Sequence, residues 1–228
     1  MHKSAYEAMR KGFEKFFDPE VHKSVLDVGS RAVSGHTMTH RSIIEPHNLT
    51  YVGLDVVAGP NVDVVMKQAY RLPVASESAD IIFCGQVFEH VPYFWVTFLE
   101  MARVLRKDGI ILLTAPSRGH RHSPPTDCWR FYPDGMLALA KFSGLELLYA
   151  KTDFPKKVDD GSRLDYTTIS EYRYWGDSIG VFKKTDAYRK WSIIPMRELM
   201  IRWANKRSNL KPGVQPQTNE YPEIGSSI

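Results

Sequence analysis

Apolar positions along this chain switch between two periods. Short unbroken apolar runs at 25–28, 51–55, 79–84 and 110–113 predict strands, the run at 79–84 covered on both faces. Shorter runs at 62–65, 145–149 and 178–182 predict three more. Between them, apolar residues recur every three or four positions. Tyr6, Met9, Phe13 and Phe16 or Phe17 predict a helix over about 5–17, stopped by Pro19. Trp95, Phe98, Leu99, Ala102 and Leu105 predict a helix over about 93–105, with Lys107-Asp108-Gly109 as its stop. Met136, Leu137, Leu139, Ala140 and Phe142 follow Pro133 and precede Gly144, a third such pattern. A weaker helix is expected over about 37–44. Over about 185–207, Met196, Leu199, Met200 and Trp203 form a stripe with Arg197, Arg202 and Lys206 outside it, and Pro195 starts or kinks the helix there.

Strands alternating with helices predict an α/β, Rossmann-like, doubly wound sheet of about seven strands, mostly parallel, with helices on both faces. The last two strands are joined by an irregular stretch without a helical pattern, so an antiparallel edge strand is expected. Residues 1–184 then form the main domain with an N-terminal covering helix. Residues 185–210 form a helical extension packed on it. Residues 211–228, rich in Pro, Gly, Gln, Asn and Ser, form a loosely ordered tail.

Charge and composition narrow this little. The net charge of +4 is mild and does not point to nucleic acid. No apolar run reaches the ~18 residues of a membrane span, and the first residues lack the apolar core of a secretory signal. Two cysteines, Cys84 and Cys128, are too few for a disulfide framework, so the cytoplasm is the expected compartment. The basic stripe from Lys183 to Lys211 reads as solvated helix surface or a homodimer contact.

Chemistry is expected where residues 25–28 run into Gly29-Ser30-Arg31. A dinucleotide site requires G-x-G-x-x-G, because glycines let the backbone approach a pyrophosphate. Here only Gly29 fits: Arg31 and Ser34 occupy the later positions, and Gly35 comes one residue late. Arg31 at the closest approach suits an adenosine ligand without phosphates. Asp55, closing the second strand, can accept both ribose hydroxyls. S-adenosyl-L-methionine meets these terms.

The chain resembles a class I S-adenosylmethionine-dependent methyltransferase of the methyltransferase 11 type. The resemblance rests on Val25-Leu26-Asp27-Val28-Gly29, Tyr51-Val52-Gly53-Leu54-Asp55, Leu72-Pro73, Ala79-Asp80-Ile81-Ile82-Phe83, Phe88-Glu89-His90-Val91 and Arg103 to Gly109, in family order. It implies cofactor binding by Asp27, Gly29, Ser30, Arg31, Asp55 and Val56. It also places Gln68 and Ala69 beside the adenine, and Gly85 and Gln86 under the methionine portion. Gln68 stands where the family often has an acid.

The acceptor wall is expected in residues 120–132, which follow the fifth strand and overhang the ligand-binding edge. His120, Trp129, Arg130 and Tyr132 combine aromatic faces with hydrogen-bonding groups, as a sugar ring requires. The stretch from His122 to Tyr132 resembles a H-x-x-P-x-D-x-W-R-F-x-P pattern in methyltransferases of polysaccharide and glycoside pathways. The expected reaction is in-line O-methylation of a sugar hydroxyl on a glycan, glycoside or related small molecule. His122 or His90 would be the general base, with Asp127 beside them. His, Asp and Glu here could also hold a divalent metal, but no tight ligand spacing marks one, and none is assigned. Other readings stay open: a nicotinamide-dependent oxidoreductase or epimerase, methylation of RNA, protein or another small molecule, and a non-catalytic binding protein.

Overall fold

The computed structural model describes residues 3–32, 38–122, 126–153, 175–188 and 190–208. Its centre is a seven-stranded sheet in the order β3-β2-β1-β4-β5-β7-β6. The strands are β1 (Ser24–Val28), β2 (Thr50–Asp55), β3 (Val64–Val65), β4 (Ala79–Gly85), β5 (Leu105–Arg118), β6 (Glu146–Thr152) and β7 (Gly176–Lys183). Strands β1 to β5 pair in parallel, while β7 runs antiparallel to both β5 and β6. The antiparallel strand therefore lies one place in from the edge. The helices are α1 (Lys3–Phe16), α2 (His40–Ile44), α3 (Phe94–Val104), α4 (Pro133–Ser143) and α5 (Lys190–Arg207), with a 3-10 turn at Phe88–His90. The start of the helix expected from 37, and the tail expected over 211–228, lie outside the described residues. No described helix is long and apolar enough to cross a membrane.

Period-two alternation divides the core. Val25, Ile81, Phe83, Leu112 and Val181 turn to one face, where Met9 and Phe13 of α1 and Ile43 and Ile44 of α2 cover them. Their neighbours Leu26, Ile82, Ile111 and Phe182 turn to the other, under Phe98 and Met101 of α3 and Met136 and Leu139 of α4. Both faces are dry, which is why these strands read as continuous apolar runs.

The turn after α3 differs from the expected stop. The helix ends at Val104 and the chain enters β5 directly. The left-handed residue is Asp108, at φ +62°, and not Gly109. Gly109 serves close approach: a Cβ there would lie 2.6 Å from the Asp80 carbonyl oxygen.

Helix α5 presents a different face from the expected stripe. It is one helix through Pro195, and among its described side chains Arg197, Ile201 and Ala204 are buried and Met200 is partly buried beside them, while Leu199 is 71% exposed and Met196 and Trp203 are also exposed. Of the expected stripe only Met200 turns inward, because the face is set by Ile201, Ala204 and a buried charge. Arg197 Nε lies 3.4 Å from Oε1 of Glu100 on α3, which is fully buried. Glu100 also receives Arg103 at 2.7 Å and the Leu72 amide at 3.1 Å. Ile201 and Ala204 pack with Tyr70 and Val96 beside it. With α5 on its outer side, α3 is buried nearly all round.

Glu198 ties α5 to the loop before β4 through Arg71, and pairs with Arg197 at 2.8 Å. Hydrogen bonds from Arg71 and then Arg197 hold its carboxyl down at about 2. A carboxyl lowered on folding stabilises the fold above its ordinary value, and that contribution fades as pH falls toward the lowered value. The melting temperature of the wild type should therefore drop more steeply than that of Glu198→Gln between about pH 5 and pH 3. Parallel slopes in thermal melts across that window would show that the ion pairs contribute nothing.

Candidate functional site

Strands β1 and β4 lie side by side, and their carboxyl ends open one polar cavity of about 470 Å³. Asp27, Gly29, Ser30 and Arg31 line it from β1, Gly85 and Gln86 from β4, and Glu89, His90 and His122 from the turns beyond.

Asp27 is 1% exposed, so its carboxyl needs partners. Tyr51 donates its hydroxyl to Oδ2 at 2.5 Å, and His40 Nδ1 lies 2.8 Å from Oδ1. Burial, then the neighbouring Asp27 charge, raises the Tyr51 phenol far above its ordinary value, so it remains a donor. Asn61 links this clasp to the turn, donating to both the Tyr51 hydroxyl at 3.0 Å and the Ser30 carbonyl at 2.8 Å.

The turn itself needs glycine. Gly29 has φ +79°, and a Cβ there would lie 2.2 Å from Val87 Cγ2. The amides of Gly29 and Ser30 both donate to the Leu54 carbonyl of β2. Asp55 accepts the Arg31 amide at 3.1 Å and the Val57 amide at 3.0 Å. Burial raises its carboxyl above the ordinary value despite these bonds. The expected cofactor set thus divides. Asp27, Gly29, Ser30, Arg31, Gly85 and Gln86 meet in the cavity. Asp55, Val56, Gln68 and Ala69 do not line it, and Asp55 is joined to it through the Arg31 amide.

Several cavity atoms are buried without a hydrogen-bond partner: Ser30 Oγ, His40 Nε2 and both oxygens of Glu89. Such atoms are rare in folded proteins. Glu89 is fully buried, and burial, then the charges of Asp127 and Asp177, pushes its carboxyl up to about 8. Gln86 adds strained backbone at φ +58° and donates to Asp177 at 3.2 Å.

His90 and His122 face one another, ring centroids 5.0 Å apart. His90 Nδ1 lies 2.5 Å from the Thr126 carbonyl, which can only accept, so Nδ1 carries the proton and Nε2 keeps its lone pair. Burial lowers the His90 pKa. His122 Nδ1 faces the His120 carbonyl at 3.3 Å and Asp127 Oδ2 at 3.4 Å, again leaving Nε2 bare. Asp127 does not line the cavity. It pairs with Arg130 and accepts the His122 amide at 2.8 Å. Burial alone would raise its carboxyl, but Arg130 and the His122 amide outweigh it and hold it low. Its place is that of a residue positioning His122.

The expected acceptor wall also divides. Trp129, Arg130 and Tyr132 line a separate, mainly aromatic groove of about 520 Å³ with Phe94, Trp95 and Phe142. Trp129 is held by its Nε1 donating to the Pro92 carbonyl at 3.2 Å. His120 lines neither space; its carbonyl accepts from Arg130 at 3.0 Å.

Sequence reasoning did not nominate Glu89, His40, Asn61 or Trp175, all of which line the cavity. Glu89 had a signal, an acid beside a histidine just past a buried strand. The others had none, because only folding brings them to this edge.

Comparisons with known proteins agree with this architecture. A family model described as a methyltransferase domain matches residues 36–113. A protein of Mycobacterium avium (strain 104) named as an uncharacterized methyltransferase is 28% identical over 174 residues, covering 71% of this chain and 62% of that protein. The chain thus spans less than two thirds of that relative's length. Among solved structures, a putative sarcosine dimethylglycine methyltransferase from Galdieria sulphuraria superposes with a TM-score of 0.56 at 15% identity, over 80% of this chain and 86% of that one. A Haemonchus contortus phosphoethanolamine N-methyltransferase 2 in complex with S-adenosyl-L-methionine superposes with a TM-score of 0.53 at 13% identity, over 81% and 53%. At these identities the likeness shows the fold.

The Asp27 clasp is open to measurement. Tyr51→Phe removes a donor from a buried carboxyl and should cost about 1–3 kcal/mol in urea unfolding. An unchanged midpoint with unchanged slope would remove the clasp as a support of this edge.

Proposed function

We propose that this chain, whose fold and matched segment are those of a methyltransferase domain, is a class I S-adenosylmethionine-dependent methyltransferase acting on a hydroxyl of a sugar-containing acceptor. The observation that supports it best is the cavity at the β1–β4 edge. Its glycine turn is left-handed, and Ser30 Oγ, His40 Nε2 and both Glu89 oxygens lack partners there. When bound, S-adenosylmethionine supplies an activated methyl group for in-line displacement. Gly29, Ser30, Gly85 and Gln86 would hold the methionine portion, with Asp27 beneath them. Asp55 would take the ribose, with Val56, Gln68 and Ala69 toward the adenine. Arg31 stands where the second glycine of a pyrophosphate-binding turn would be, which disfavours the oxidoreductase reading.

An alcohol must lose a proton to attack. Glu89, His90 and His122 stand together on the cavity wall and are the groups that would draw it off. His122 is the foremost base, because Asp127 and the His120 carbonyl keep its Nε2 lone pair free. The aromatic groove carrying Trp129, Tyr132 and Arg130 suits the face of a sugar ring.

Two measurements test this reading. Gly29→Ala should weaken S-adenosylmethionine binding at least about 10-fold, from the strain of a Cβ at positive φ. Unchanged affinity in equilibrium binding would place the cofactor elsewhere. Incubation with methyl-labelled cofactor should label a member of a panel of glycans, glycosides and nucleotide sugars. Trp129→Ala should then raise KM about 10-fold with little change in kcat. Label entering only RNA or protein would overturn the sugar reading while leaving methyl transfer standing.

A further inference from the structure

One arrangement in the cavity exceeds what methyl transfer requires. Glu89, His90 and His122 each offer a ligand atom, and these atoms lie within 4.8 Å of one another. One pair, His90 Nε2 and Glu89 Oε1, is 3.7 Å apart. Two ligands of a tetrahedral ion, each about 2.1 Å from it, would be about 3.4 Å apart. We propose that Glu89, His90 and His122 form a binding site for a divalent first-row transition cation of the zinc or manganese kind, beside the cofactor cavity.

Three further features carry the assignment. First, Glu89 is fully buried with neither oxygen hydrogen-bonded, yet it lines the cavity. A fold that keeps a carboxyl dry and unpartnered leaves both oxygens for a ligand, and a cation compensates a buried acid best. Second, both imidazoles are held through Nδ1, by the Thr126 carbonyl for His90 and by the His120 carbonyl and Asp127 for His122. Ligand histidines are oriented in this way: the outer nitrogen donates to a carbonyl or carboxylate, which fixes the tautomer and presents the other nitrogen. Third, two imidazoles and one carboxylate form the 2-His-1-carboxylate set, which favours first-row transition ions over magnesium or calcium.

Sequence spacing could not show this site. Glu89 and His90 come from the 3-10 turn after β4, and His122 comes from beyond β5. The assignment rests on the methyltransferase reading only for its use. There, the cation would lower the pKa of an acceptor hydroxyl bound to it, the proton passing to solvent, and with the metal bound His122 would serve as a ligand in place of the base role assigned to it above.

The test uses the full chain, stripped with a chelator, dialysed and titrated calorimetrically with Zn²⁺, and with Mg²⁺ as comparator. One equivalent of Zn²⁺ should bind, with Mg²⁺ at least about 100-fold weaker. Glu89→Gln and His122→Ala should each weaken Zn²⁺ binding at least about 100-fold, more than the 10–100-fold typical of lost outer-shell partners. Thermal melts of the stripped wild type and both variants report that the chain is folded, independently of metal and cofactor, and binding of labelled S-adenosylmethionine is measured on the wild type. Absence of saturable Zn²⁺ binding, or binding indifferent to both substitutions, would overturn the site. A wild type that binds Zn²⁺ but no S-adenosylmethionine would overturn the methyltransferase reading instead.

Discussion

A carboxyl at the dry end of β1 constrains everything around it. Asp27 sits between strands covered on both faces, so water cannot compensate it, and the protein must. Its partners come from far along the chain: Tyr51 from β2, and His40 from the start of α2. Each partner fixes something else. Tyr51 also accepts from Asn61, which reaches the Ser30 carbonyl and so sets the path of the turn. His40 spends its Nδ1 on Asp27 and brings its bare Nε2 to the cavity, close against Gly85. The clasp thus holds the glycine turn, the opening of α2 and the end of β4 in one arrangement before any ligand arrives.

Strain and unsatisfied polarity both occur at this same edge. Gly29 and Gln86 both have positive φ, one at the end of β1 and one just past β4. Ser30, His40 and Glu89 leave buried polar atoms without partners within the same cavity. Away from it, two buried carboxylates are matched: Glu100 by Arg103, Arg197 and the Leu72 amide, and Asp80 by Arg106, Ser24 and the Lys23 amide. Glu89, unlike them, is left unmatched where a ligand can relieve the cost.

How much of this was legible in the sequence depended on whether the determining force was local. The β1, β2, β4 and β5 runs were legible because burial on both faces writes an unbroken apolar string. The Gly29 turn and Asp55 were legible because their spacing follows from strand ends. The face of α5 was not. A helical stripe counts apolar residues, and this helix is anchored by Arg197 reaching Glu100 on another element. The end of α3 misled for a similar reason, since Gly109 answers the Asp80 carbonyl across the sheet and not the helix it follows. Glu89 was visible as a motif residue, but its importance lies in being fully buried with nothing bonded to it, which no spacing reports.

The division of residues 120–132 bears on what could be recognised here. The segment was expected to act as one wall. In the fold, the Asp127–Arg130 pair turns it like a hinge pin: His122 falls into the polar cavity, and Trp129, Arg130 and Tyr132 fall into the aromatic groove. One ion pair therefore fixes the offset between the polar groups and the aromatic faces. On the proposed reading, an acceptor engaging both would present its reacting hydroxyl to the cavity and an apolar or ring face to the groove.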